Sequence, residues 1–275
     1  MRVNVHCFIS IFTLCIVCTS YSFAQSRLAD IALREENIYK KIAEDPEFYS
    51  SSDIERHVTD LIGAYRAYLI DHPADVHALI LYGKLLRRVE RFDEAFNHFL
   101  KADELDPNIA VVKQQIGTYL AESGKAKAAL PFYLKAVELE PETAIYHFAL
   151  GQLLHEFRTV YINEGIFTRD ALEREMLKAF KKAVALQPDS FDLQMRLGEA
   201  YYDLSSPDWK SALLHWNKMR KGVQNELQAE ILDLHRALVL AKLGRTDEAI
   251  SLARQVQTPG LQHSKQQLLD EIARH

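Results

Sequence analysis

Residues 76–109 read VHALILYGKLLRRVERFDEAFNHFLKADELDPNI, and residues 110–143 read AVVKQQIGTYLAESGKAKAALPFYLKAVELEPET. Laid over each other without a gap, the two stretches share marks 34 positions apart: Gly83 and Gly117, Ala95 and Ala129, Phe99 and Tyr133, Ala102 and Ala136, Pro107 and Pro141. The same interval reaches back to Pro73 and forward to Gly151. A fixed period of this length is the signature of a repeat architecture, in which one supersecondary unit recurs and stacks on its neighbours. Each unit reads as two antiparallel helices. Glycine or alanine lets the two approach closely, and an aromatic is expected to fill the wedge between one hairpin and the next. Proline ends the second helix, because it has no N–H to donate.

The register set by these two units places the rest of the chain. Before them, Leu28, Ile31, Ile38 and Ile42 follow helical spacing over 27–45, and Ile54, Val58, Leu61, Tyr65 and Tyr68 do so over 53–71. After them, a third unit keeps Leu150-Gly151, Leu154, Phe180, Ala183 and Pro188. Its prolines, Pro141 and Pro188, are 47 apart, which is 34 plus 13. The surplus falls between the two helices. Apolar spacing continues through Phe157 and Tyr161, Asn163-Glu164-Gly165 reads as a turn, and Thr168 as an N-cap, so a lengthened hairpin over 156–174 is expected to project beyond its neighbours. A fourth unit carries Leu197-Gly198, Tyr201, Ala212 and Trp216, with Ser206-Pro207-Asp208 as a helix start: a capping hydroxyl, a proline, then an acid. A fifth carries Ala237 in the glycine place and Ala253 where an aromatic would sit. Thr258-Pro259-Gly260 breaks it, and the polar side chains of 261–274 suit the outer side of a terminal cap.

On these marks the chain resembles the tetratricopeptide repeat family, whose unit is a 34-residue pair of antiparallel helices. The resemblance implies an all-α fold, a right-handed α-solenoid of about thirteen helices. It would comprise a helical pair at 25–74, repeats at 75–256 and a capping helix at 257–275. It also implies a concave surface, lined mainly by the first helix of each pair, that holds an extended peptide or a partner helix. The family's groove positions fall here on His77, Ile80, Lys84, Arg87 and Arg88, then on Gln114, Thr118 and Glu122. They continue on Phe148, Gln152 and His155, and on Asp192, Met195, Glu199 and Tyr202. The asparagine and lysine pattern with which some members clamp a C-terminal carboxylate is not matched.

Residues 1–24 differ from everything after them. Arg2 is their sole charge, an apolar run covers Phe8 to Val17, and Ser22-Phe23-Ala24 suits a signal peptidase. They read as a secretory leader cut after Ala24; the alternative, a retained anchor, wants about 20 apolar residues. All three cysteines, Cys7, Cys15 and Cys18, lie inside this segment. The expected mature chain then has no disulfide, no thiolate nucleophile and no thiolate metal site. A net charge of -5 argues against a general nucleic-acid or anionic-membrane binder.

No catalytic or cofactor motif emerges. The glycines stand singly at packing places, and His155-Glu156 has Thr159 where a second zinc-binding histidine would be needed. Asp93-Glu94 and Asp247-Glu248 begin second helices, where carboxylates meet the positive end of the dipole. Lys84, Arg87 and Arg88 place like charges on one face, at a cost of roughly 0.2–0.5 kcal/mol per pair unless neutralised. Glu90, Asp93 or Glu94 would neutralise them, or else the cluster receives an acidic segment of a partner. At the tip of the long hairpin, Tyr161, Ile162, Ile166 and Phe167 either pack on one another or offer a docking point. The sequence thus leads to an exported, non-catalytic scaffold of the periplasm or cell envelope that binds a protein or peptide, without cofactor, metal or nucleic acid. The alternative is an accessory or regulatory subunit of an envelope enzyme or transport complex.

Overall fold

The computed structural model describes residues 26–274, so the leader-like segment and its cleavage site lie outside the described residues. Within them the fold is all-α, a solenoid-type succession of antiparallel helix pairs with fourteen α-helices. The chain divides into two compact units, up to Glu122 and from Ser123 onward.

The first unit holds α1 (26–44), α2 (Ser51–Asp71), α3 (Val76–Arg88), α4 (Phe92–Leu105) and α5 (Ala110–Glu122). Helices α1 and α2 form the expected pair: Arg27 bonds Asp71 at 2.8 Å, and the Tyr65 hydroxyl donates to Glu35 at 2.8 Å. Ser50 and Asp75 cap α2 and α3 through their side-chain oxygens. Leu61, Tyr65, Tyr68, Leu79, Tyr82, Leu85, Leu86 and Phe99 are fully buried and make the core. The turn from α3 to α4 puts Glu90 at φ 61°, the left-handed region. One repeat later the same place is Gly124, at φ 73°.

The second unit holds α6 (Ala126–Leu139), α7 (Ala144–Glu156), α8 (Arg158–Asn163), α9 (Arg169–Leu186), α10 (Phe191–Ala200), α11 (Trp209–Gly222), α12 (Glu226–Lys242), α13 (Thr246–Arg254) and α14 (Gln262–Ala273). Here the long hairpin departs from expectation. Helix α7 stops at Phe157 and the chain turns into the short α8, which packs on α6. Tyr161 is fully buried and donates its hydroxyl to the Ala126 carbonyl at 2.9 Å, while Lys127 and Glu164 pair at 3.2 Å. The surplus residues therefore fold back on the unit, because a large aromatic with one polar atom gains more from a buried acceptor than from projecting into water. Thr168 caps α9 as expected. At α11 the cap is Asp208, accepting from the Ser211 N–H at 3.0 Å, and not the expected hydroxyl of Ser206.

Each ring covers the glycine of its own hairpin, and Phe180 and Trp216 also reach the next hairpin, where they meet Arg196 and His235. A Cβ on Gly83 would lie 2.9 Å from the Phe99 ring, one on Gly151 2.7 Å from Phe180, and one on Gly198 2.1 Å from Trp216. Real Cβ contacts do not come so close, so these three places exclude any side chain while the rings stay put. The fifth hairpin sets two small residues against each other: Ala237 and Ala253 are both fully buried in a cluster with Leu268 and Ile272 of α14. Glu230 ties this end down, accepting from the Gln257 and Thr258 N–H groups at 2.7 Å each. Among the described residues no helix is long and apolar enough to cross a membrane.

Candidate functional site: the inner face of the second unit

The first helices α7, α10 and α12 bring most of the sequence-predicted groove residues of this unit together. Gln152 and His155 lie on α7, and Met195, Glu199 and Tyr202 on or just after α10. Two residues that the sequence did not single out organise them. Arg196 donates from Nε to Gln152 at 2.6 Å and pairs through Nη1 with Asp203 at 2.9 Å, and its guanidinium lies 4.5 Å from the centre of the Phe180 ring. The ring in turn rests on Gly151, so the repeat's packing pair is the platform for the arginine. Asp203 stands 3.2 Å from His155 Nδ1, and its carbonyl accepts from Arg158 at 2.8 Å. Burial pushes the His155 imidazole below its ordinary value, against the pull of Asp203, so it is mainly neutral near pH 7. His147 turns inward instead, its Nε2 2.7 Å from the Pro141 carbonyl. Phe148 meets Phe180 edge-on at 6.0 Å.

Glu199 differs from its neighbours. Its carboxylate makes no hydrogen bond or ion pair with the described residues, and burial raises its pKa, Arg196 opposing this and Asp203 adding to it. Beside it, Tyr202 accepts from the Trp216 indole N–H and lies 3.5 Å from His235 Nδ1. His235 stacks on Trp216 at 4.5 Å, and burial lowers its pKa to about 4. Beyond His235 opens a groove of about 370 Å³ between α12 and α14, walled by Ile231, Leu234, Leu238, Leu261 and Leu268 and rimmed by Ser264, Gln267 and Glu271. Sequence could have found this wall. Gly198 and Ala237 hold the same repeat place 39 positions apart, so Asp192, Met195 and Glu199 map onto Ile231, Leu234 and Leu238. The polar residues Gln267 and Glu271, expected on the outer side of a cap, line this groove.

The first unit has its own set. Ile80 is buried and therefore core, while His77 and Lys84 are exposed. Arg87 grips Glu122 with two bonds of 3.0 and 2.6 Å. Arg88 pairs with Glu35 at 3.0 Å and lies 4.0 Å over the Tyr39 ring. The neutralising acids thus come from α1 and α5; Glu94 serves Arg66 and Arg91 instead, and Asp93 takes the Tyr119 hydroxyl. Glu35 pays for its place by desolvation, which raises its pKa, while Tyr65, Arg88 and Lys84 pull it down. Gln114 and Thr118 bond each other along α5 at 3.1 Å. At the long hairpin Tyr161 is interior, and Ile162, Ile166 and Phe167 are half-buried.

A family model described as the tetratricopeptide repeat matches residues 76–109 and 110–143, the two stretches quoted at the outset. Residues 76–143 are two tetratricopeptide repeats. PilF of Pseudomonas aeruginosa is similar in fold to this chain, with a TM-score of 0.61 at 16% identity over 90% of this chain and 97% of that one. PilW, described as a widely conserved type IV pilus biogenesis factor, gives 0.57 at 12% identity over 88% and 98%. YrrB, described as a tetratricopeptide-repeat protein with an unusual peptide-binding site, gives 0.54 at 18% over 74% and 98%. Likeness at such identities establishes the fold alone. No curated protein matches the chain at a significant level.

Proposed function

We propose that this tetratricopeptide-repeat chain is a non-catalytic scaffold that holds a protein or peptide partner on the inner face of its second unit. The observation that carries the reading is the groove between α12 and α14: repeat positions that a solvated helix would fill with polar residues hold Ile231, Leu234 and Leu238, next to the half-buried Glu199 and Tyr202. Apolar surface left open beside a polar rim marks a contact site. Enzymatic action has less to support it. Asp203 is engaged with Arg196 and lies beside His155, in an arrangement that fixes side chains and offers no activated nucleophile. The basic face of α3 gains no weight as a partner site, since Arg87 and Arg88 already have acids opposite.

Site-specific photo-crosslinking tests the reading. A photoreactive residue at Leu238 or Met195 is expected to trap a partner in cells, whereas one at the outward Leu214, 74% exposed, is not. Equal trapping at all three positions would sink the inner-face reading. The proposal includes export to the periplasm or cell envelope, supported by the leader-like residues 1–24. The mature protein is expected to begin at Gln25, and an N-terminus at Met1 in the recovered protein overturns that part.

A further inference from the structure

The inner face of the second unit carries a half-buried carboxylate that has no ion pair among the described residues. Arg196 is paired with Asp203 and donates to Gln152, and Arg158 donates to the neutral Asp203 backbone carbonyl. At the far rim Glu271 is matched by Lys242 at 2.6 Å. His235 is neutral near pH 7 because burial holds its pKa at about 4. Glu199 makes no hydrogen bond or ion pair with the described residues although it is half-buried, and the attraction of Arg196 does not offset its desolvation. A partly desolvated carboxylate with no ion pair is destabilised relative to one in water, and an approaching cation recovers more there than it would at a fully hydrated surface.

Glu199 also stands next to the apolar groove. Glu199 and Leu238 hold the same repeat position on successive first helices, and Tyr202 and His235 span the interval, 3.5 Å apart. A ligand lying across α10 and α12 therefore meets a carboxylate and then, beyond the aromatic step, a cleft of about 370 Å³ lined by leucine and isoleucine. We infer that this face selects a partner segment carrying a lysine or arginine for Glu199 and, next to it, a large apolar side chain for the cleft formed by Leu234, Leu238 and Leu268. The inference rests on the inner-face reading above and specifies its occupant. An acidic segment is disfavoured beside the cleft, since it would meet Glu199 with like charge.

The test uses the full mature chain and four fluorescent 12-residue peptides of Gly, Ser and Ala, with Lys-Leu-Phe, Glu-Leu-Phe, Lys-Ser-Ser or Glu-Ser-Ser at their centre. Anisotropy titration is expected to rank Lys-Leu-Phe first. Glu199→Gln should weaken that peptide about fivefold, the scale of one partly screened charge pair, and leave Glu-Leu-Phe unchanged or tighter. Leu238→Gln, with Leu234→Ser as a second variant should the first unfold, should remove binding of both Leu-Phe peptides. If Glu-Leu-Phe binds as tightly as Lys-Leu-Phe, or Glu199→Gln changes nothing, the charge selectivity is overturned while the apolar face stands. If no peptide is held, or binding survives both groove variants, the inner-face reading falls as well.

Discussion

Trp216 lies so close over Gly198 that a Cβ on the glycine would stand 2.1 Å from the ring. Gly198→Ala must therefore displace a fully buried indole that also donates to Tyr202, whereas Gly83→Ala and Gly151→Ala meet phenylalanine rings at 2.9 and 2.7 Å. Overpacking a tight core costs about 1–3 kcal/mol, against which alanine regains ~1 kcal/mol of helix propensity. Urea unfolding is expected to show Gly198→Ala as the most destabilised of the three. Equal losses would mean that the rings swing aside freely.

Glu90 offers the opposite case. Its φ of 61° is one that an L side chain adopts at a cost of roughly 1–2 kcal/mol, while Gly124 and Gly244 hold similar turns at φ 73° and 76°. Glycine in its place loses more entropy on folding, about 0.4–1 kcal/mol. Glu90→Gly should therefore raise stability by about 0.5–1 kcal/mol, read as a higher urea midpoint at unchanged slope.

His235 makes stability depend on pH. Burial lowers its folded pKa from 6.5 to about 4, so between those values the folded chain binds fewer protons than the unfolded one. Acidification through that window removes stability, by on the order of 3 kcal/mol from this residue if fully expressed. His235→Gln should flatten the corresponding part of the unfolding free energy measured between pH 7 and pH 4. A slope that persists unchanged assigns the effect to other groups.

Glu35 and Arg88 form an unequal pair, with side chains 12% and 49% exposed. Arg88→Met leaves a desolvated carboxylate with little beyond the Tyr65 hydroxyl, and is expected to cost about 1–2 kcal/mol after allowance for the exposed arginine. Glu35→Gln keeps an acceptor for Tyr65 and frees an arginine that remains solvated over Tyr39. Its cost should fall below that of Arg88→Met, and the reverse order in thermal melts would refute the assignment of the burden to Glu35.

The helices, their pairing and the exceptional hairpin were legible because the 34-residue period is written in residues whose roles are steric: glycine, alanine, a ring and proline. The geometry of the aromatic was not, since periodicity places Phe99 or Trp216 on a helix without saying which glycine it covers. The α7–α8 break was hidden for a similar reason. Apolar spacing runs on unbroken through Phe157 and Tyr161, and only the acceptor at Ala126 draws the chain aside. At the candidate site, family positions supplied Gln152, His155, Glu199 and Tyr202 but passed over Arg196 and Asp203. Their importance lies in contacts between residues 44 apart, Gln152 and Arg196, or 48 apart, His155 and Asp203, which no local pattern encodes. The basic face of α3 was visible as a charge cluster. Its neutralisation by Glu35 and Glu122 needed three dimensions.

The pairing of glycine with ring inside a hairpin also constrains how such a chain can change over generations. An enlargement at position 198 is tolerable only after a reduction at 216, so the two sites are expected to drift as a couple, along a path whose order matters. Ala237 and Ala253 look like the far end of such a path, where both partners have met at intermediate size. A collection of descendants would then vary most freely in the fifth hairpin and be held most tightly at Gly198, where the first step of any exchange is blocked.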